Sequence, residues 1–208
     1  MSEQPEQEQP LSMPFISATA AKIATGSGSS NAGGYLNTSK LGDGEQFKVS
    51  ILSEEPLETW CVWGETDEGQ KKPFRFAAEP SADDITAELG EYRQRLNYEQ
   101  TELEKPKFGI HFFCFDHADG KVKVFEVTQK TLIKKLDELS QDEDYANLHE
   151  WDLKFTRKGL KMQTEYGILP SPRKGDTQAK IDKAWSDAQA AGYDLNQLLI
   201  GGSPFGDS

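Results

Sequence analysis

The sequence predicts a mainly β chain: an antiparallel barrel with two or three short helices and flexible termini. From Phe47 onward, short apolar segments alternate with polar residues and are bounded by turn residues. Helical spacing of apolar side chains is confined to three short stretches, and both ends are rich in Gly, Ser, Pro, Gln and acids. At 208 residues, 36% of them hydrophobic, one core with appendages is expected. The expected division is a flexible segment over 1–46, a β domain over 47–172, and a helix with a disordered tail over 173–208.

Phe47 to Leu52 reads as the first strand, Leu57 to Gly64 as the second and Lys72 to Ala77 as the third, separated by Ser53-Glu54-Glu55-Pro56 and Thr66-Asp67-Glu68-Gly69. Ser81 can cap a helix whose apolar positions Ile85, Leu89, Tyr92 and Leu96 share one face, with Asp83 and Asp84 in its first turn. Lys107–Asp116 and Lys121–Val127 should form a hairpin through Asp119-Gly120. Gln129 to Leu139 follows as a helix with Leu132, Ile133, Leu136 and Leu139 inward. Trp151 to Arg157 and Met162 to Leu169 make a last pair of strands, which Pro170 and Pro172 end. Thr177 to Ala191 is a helix closed by Gly192, and Gly201 to Ser208 should be disordered. Seven short strands with small helices suggest a closed or nearly closed barrel, which removes exposed edges, and an oligonucleotide-binding (OB) barrel is the economical choice.

The formal net charge is −12. It is spread along the chain: 2 basic against 5 acidic residues over 1–46, 19 against 25 over 47–174, and 2 against 5 over 175–208. That total opposes a polyanionic partner unless cations gather locally, since a groove responds to charges within about 8 Å. No apolar run reaches the ~20 residues of a membrane helix, and Met1 to Pro10 lacks the pattern of a secretory leader, so a cytoplasmic location is expected, that of the host cell if the source is viral. Cys61 and Cys114 are too far apart for a zinc knuckle and read as small apolar residues. His111, His117 and His149 show no ligand spacing, and neither a metal nor another cofactor is expected.

Alternation along the hairpin separates a core face from a remainder. With Phe108, Ile110, Phe112, Cys114, Val122 and Val124 inward, His111, Phe113, Phe115, Lys121, Lys123 and Phe125 face outward as rings interleaved with cations. Single strands are held on such surfaces, because every base offers a face to stack on while cations follow the phosphates. Lys154, Arg157, Lys158 and Lys161 form a second basic group, and Lys71, Lys72 and Arg75 a third. Arg75 stands between Phe74 and Phe76, where a guanidinium can stack or fork onto phosphate. Trp60 and Trp63 alternate to opposite faces, so one of them can serve as a platform.

Four segments resemble the single-stranded-DNA-binding proteins of tailed bacteriophages: Glu58-Thr59-Trp60-Cys61-Val62-Trp63; Lys72-Pro73-Phe74-Arg75-Phe76; the hairpin and helix from Asp119 to Leu136; and Trp151 to Gly159 followed by Thr164-Glu165-Tyr166. The resemblance implies coating of single strands without sequence preference in replication, recombination or repair, with no catalysis. It places Arg75, Arg157, Lys158 and Tyr166 near the strand, and it suggests replication or recombination proteins as partners of the C-terminal tail. Here the tail is Gly-Gly-Ser-Pro-Phe-Gly-Asp-Ser, with a single acid. An interaction or scaffold protein on the same barrel, and an RNA-binding barrel, are the alternative readings. The paired acids Asp83 with Asp84 and Asp142 with Asp144 fall at a helix start and in a loop, where solvated charge is the ordinary role.

Overall fold

A computed structural model describes residues 34–145, 147–160 and 163–206. Among these residues nine strands and three helices follow one another: β1 (Tyr35–Asn37), β2 (Gln46–Ile51), β3 (Leu57–Glu65), β4 (Lys71–Phe76), α1 (Ala82–Leu89), β5 (Arg93–Gln94), β6 (Lys107–Asp116), β7 (Lys121–Val127), α2 (Lys130–Gln141), β8 (Trp151–Lys158), β9 (Glu165–Pro172) and α3 (Gly175–Ala190). A 3₁₀ turn over Leu195–Ile200 ends the set.

The strands form one mixed sheet ordered β1-β7-β6-β2-β8-β9, with β3 branching from β6 and carrying β4 and β5. Every neighbouring pair is antiparallel except β1 with β7, which is parallel. The closed or nearly closed barrel that was expected is an open sheet, because β1 and β9 end the order and among the described residues do not pair with each other. β6 makes the branch possible: its first half pairs with β3 and its last three residues with β2, along the same edge.

The main core lies between the inner sheet face and α2, where Phe112, Phe125 and Phe155 meet Val49, Leu132 and Leu136. Phe125 and Phe155 pack edge to face at 4.7 Å, a preferred aromatic arrangement. α1 closes a smaller cluster over the branch with Val62, Phe74, Ile85 and Leu89. It starts as expected, with a reciprocal Ser81–Asp84 capping box. It stops at Gly90, whose φ is +56°, so Tyr92 and Leu96 lie beyond the helix, and Leu96 bridges to Leu103 in extended backbone.

Two further expectations change. The strand runs past Leu169: Pro170 lies inside β9, opposite Leu153, while Pro172, opposite Trp151, is its last residue and ends the β part as expected. β9 is the last strand in the order, and an edge strand tolerates proline because its outward amides bond to no strand. At the C-terminus the expected disorder is absent over 201–206: Pro204 is buried, its carbonyl accepts from the Asp194 N–H at 3.0 Å, and Phe205 packs edge to face on Tyr35 at 5.2 Å and Tyr193 at 5.4 Å. Asp207 and Ser208 lie outside the described residues, as do Met1 to Pro10 and most of the Gly26–Gly34 run. Among the described residues, no helix is long and apolar enough to cross a membrane.

Candidate nucleic-acid interface

The β6–β7 hairpin forms as expected, but its register reassigns the faces. Phe112 stands opposite Phe125, Cys114 opposite Lys123, and Phe113 opposite Val124. Side chains alternate with period two, so the sequence reading, which set Val122 and Val124 beside Phe112 and Cys114, inverted the second strand. Phe125 therefore lies in the main core, 0% exposed, and is no stacking ring. Lys123 falls on the same side at the hairpin end, with its ammonium held by Asp116 at 2.7 Å and Asp119 at 2.8 Å. Burial lowers the Lys123 pKa, and the bonds and charges of the two carboxylates outweigh that effect and raise it. It is a hairpin clasp, not a phosphate contact.

Phe113 and Phe115 do face away from the main core, yet they are covered. α3 and the turn after it lie across β6 and β7, placing Trp185, Tyr193, Leu195 and Leu198 over Phe113 and Val124. Phe113 is 3% exposed and Phe115 is buried with its ring edge to face on His117. The spacing of Trp185, Tyr193, Leu195 and Leu198 shows that the C-terminal segment is apolar on one side, though not where it packs. Phe74 is also core, under α1, with the exposed Lys72 ammonium 5.1 Å from its ring.

The second basic group divides in the same way. Arg157 is turned to the segment before β2, donating to the backbone carbonyls of Leu41 and Ser39. Tyr166, opposite Arg157 in the β8–β9 register, packs its ring on the main core. Lys121 and Lys158 are exposed, and Lys161 lies outside the described residues. Lys154 stands opposite Lys48 of β2 on the outer sheet face. Beside it Asp152, 1% exposed, accepts from Lys48 at 2.8 Å and Ser50 at 2.7 Å, with Arg173 and His117 each at 3.3 Å. Burial alone would raise the Asp152 pKa, but the Lys48 and Ser50 bonds and the surrounding positive charge bring it below the ordinary value. Lys48 and Arg173 were not singled out in the sequence, because nothing local shows that they share one carboxylate 104 and 21 residues away.

One surface keeps the required chemistry. Across β4, β3 and β6, Arg75, Cys61 and Lys107 stand in a row on one face. Trp63 is on the same side two residues from Cys61, opposite Pro73, and is half-buried. Trp60 points to the other face, in register with Phe76 and Phe108 and 5.5 Å from the Phe108 ring. Arg75 reaches Glu126 at 3.5 Å and Lys107 pairs with Glu104, so each cation has an acidic neighbour. Tyr35, an exposed ring of β1, borders the same surface; burial raises its hydroxyl pKa, while the nearby Arg75 charge opposes the rise. Burial also pushes the Cys61 thiol up to about 11, leaving it a protonated neutral group between two cations.

His111 is on this side too but beneath the surface, 1% exposed, its Nε2 2.9 Å from the Thr59 hydroxyl and its Nδ1 without a partner among the described residues. Burial, with the Arg75 charge adding to it, lowers its pKa to about 3, so it is neutral near pH 7 and offers no charge to a phosphate. Of the expected binding residues, the fold thus sets Arg75 in this cationic row with only 13% of its side chain exposed, the turn over Leu195–Ile200 packing against β3 and β4 beside it, and leaves Lys72 exposed at the rim of the same branch. Trp63, Lys107 and Tyr35 join it and were not selected. Parity along β3 and β6 carried a signal for Trp63 and Lys107, while Tyr35 lay in a segment read as flexible. No family model matches the chain, and no curated protein or solved structure is found to be similar to it.

Proposed function

We propose that this chain is an oligonucleotide-binding fold that holds single-stranded DNA without sequence preference on the outer face of β3, β4 and β6. The observation that carries the reading is the chain order around the sheet. Strands β2, β6 and β7 make a three-strand meander, α2 follows, and β8 and β9 make a hairpin that returns to the other side of β2. This is the order of an OB fold, in which the second and third strands and the loop between the first two carry the ligand. Here β6 and β7 take the place of those strands, and β3, β4, α1 and β5 are an insertion in that loop.

Trp63 and Tyr35 supply ring faces, each base stack contributing about 1–3 kcal/mol. Arg75 presents a planar fork to phosphate, exchanging its long contact with Glu126 for a charge-assisted bond. Lys107 extends the cationic row. A role in replication, recombination or repair follows from coating of this kind, and no catalytic group is invoked.

A second reading, a protein-interaction module on the same fold, is favoured by the acidic total and by the cover over Phe113 and Phe115. Tryptophan fluorescence titrated with an oligothymidylate at two salt concentrations separates the two. Quenching that saturates and weakens with salt supports DNA binding. A signal unmoved by oligonucleotide at either salt supports the interaction module, and tighter binding of a matched RNA strand would reassign the ligand.

A further inference from the structure

We infer that Glu126 is a two-position switch on the proposed strand-binding face: in the free chain its carboxylate takes the place of a phosphate at Arg75, and once released it turns to the buried imidazole of His111. Glu126 of β7 stands directly opposite Asn37 of β1 on one side and His111 of β6 on the other, so the three side chains share one face. Its Oε2 accepts from the Asn37 amide at 3.1 Å. Its Oε1 lies 3.5 Å from the Arg75 guanidinium, longer than the about 2.7–2.9 Å of a good charge-assisted bond. The carboxylate is therefore anchored at one oxygen and loosely held at the other, and both members of the pair keep some exposure to solvent.

His111 supplies the second position. Its Nε2 meets the Thr59 hydroxyl of β3, and its Nδ1 is buried with no partner among the described residues. With the Thr59 hydroxyl donating to Nε2, the proton of the neutral ring sits on Nδ1, and a buried donor without an acceptor is costly. The two ring nitrogens point in nearly opposite directions, so a ring whose Nε2 faces β3 turns its Nδ1 toward β7, where Glu126 stands. Directly opposed residues of an antiparallel pair have Cβ atoms about 4.5–5.5 Å apart, a gap that a glutamate side chain spans. Asn37 thus holds one oxygen in both positions, while the other oxygen exchanges Arg75 for His111. A phosphate that takes Arg75 displaces a carboxylate that already has a donor waiting. The competition with phosphate rests on the strand-binding role proposed above; the swing of Glu126 does not.

The swing is tested without nucleic acid, by proton–nitrogen NMR of the His111 ring in the full chain, its signal assigned by its loss in His111→Gln. Arg75→Met keeps the apolar stem and removes the charge, and it should move the Nδ1 proton downfield as Glu126 takes it up. Adding Glu126→Ala to that variant should restore the original position. Should Arg75→Met not fold, the wild type saturated with an oligothymidylate gives the same readout. A His111 signal that stays in place overturns the inference. The competition is tested by oligothymidylate affinity at low salt: Glu126→Gln should tighten binding roughly two- to fivefold, the range for loss of a partly exposed ion pair. In the Arg75→Met background the same substitution should change nothing. A gain that persists without Arg75 is a general charge effect and overturns the competition. A wild type that ignores oligothymidylate while its His111 signal responds to Arg75→Met removes the strand-binding role and upholds the swing.

Discussion

Trp185 of α3 lies 5.5 Å, ring centre to ring centre, from Phe113 of β6, and this pair closes the outer face of the hairpin. With Tyr193 at 5.6 Å on the same ring, it makes the C-terminal segment part of the folded unit. Trp185→Ala should cost about 2–3 kcal/mol, below the usual range for a wholly buried aromatic because Trp185 retains some exposure. Urea unfolding of the variant measures it. Removal of residues 173–208 should expose Phe113 and Phe115 and yield an aggregating protein that binds a hydrophobic dye.

Asp152 is the common partner of Lys48, Arg173, Ser50 and His117, and it ties the chain entering α3 to β2 and β8. Asp152→Ala leaves two cations and a hydroxyl without their acceptor and should cost about 3–5 kcal/mol, as breakage of a buried pair does. Since its folded pKa is depressed, the stabilisation is present above the ordinary carboxylate value and is lost as the pH falls through the lower folded value. Chemical denaturation between pH 2 and pH 5 should therefore show a steeper acid loss in the wild type than in Asp152→Ala.

His111 acts over a different pH window. Its pKa is about 3 in the folded chain and near 6.5 when unfolded, so the unfolded state takes up the proton first. Stability should fall by about 1.4 kcal/mol per pH unit once the pH is well below 6.5, and this loss should level off near pH 3. His111→Gln should flatten that part of the curve, which urea midpoints measured from pH 4 to pH 7 would show.

At the β8–β9 turn, a Cβ on Gly159 would overlap the Gln163 carbonyl, and φ is +81°. Gly159→Ala should destabilise the chain by more than the ~1 kcal/mol expected from backbone strain alone. Thermal unfolding reports it, and an unchanged midpoint would show that the turn relaxes freely.

For the proposed DNA site, Arg75→Ala and Lys107→Ala should each weaken oligothymidylate binding and lower the salt slope of log affinity by about 0.7, the single-strand value per phosphate contact. Lys123→Ala should leave that slope unchanged, because its ammonium is spent on Asp116 and Asp119. Equal slopes for all three variants would remove Arg75 and Lys107 from the interface.

The strands of the central hairpin were readable to the residue, since alternation, a Gly-containing turn and strong β-formers agree there. The strand β1 was not, because three residues beside a Gly/Ser run carry no periodicity and owe their form to the edge of β7. The binding face was only partly readable. Alternation distinguishes two sides of a strand, but which side meets solvent depends on register and on what later segments cover.

By itself the sequence determined a mainly β chain, the places of most strands and helices, and the caps and turns, because those features follow from local backbone preference and side-chain spacing. Only the tertiary structure decided that the sheet stays open, that Phe125 is core, that Asp152 gathers Lys48, Ser50 and Arg173, and that α3 covers Phe113. Those outcomes rest on contacts between residues far apart in the chain, whose partners are selected by burial and charge pairing in three dimensions and leave no local trace.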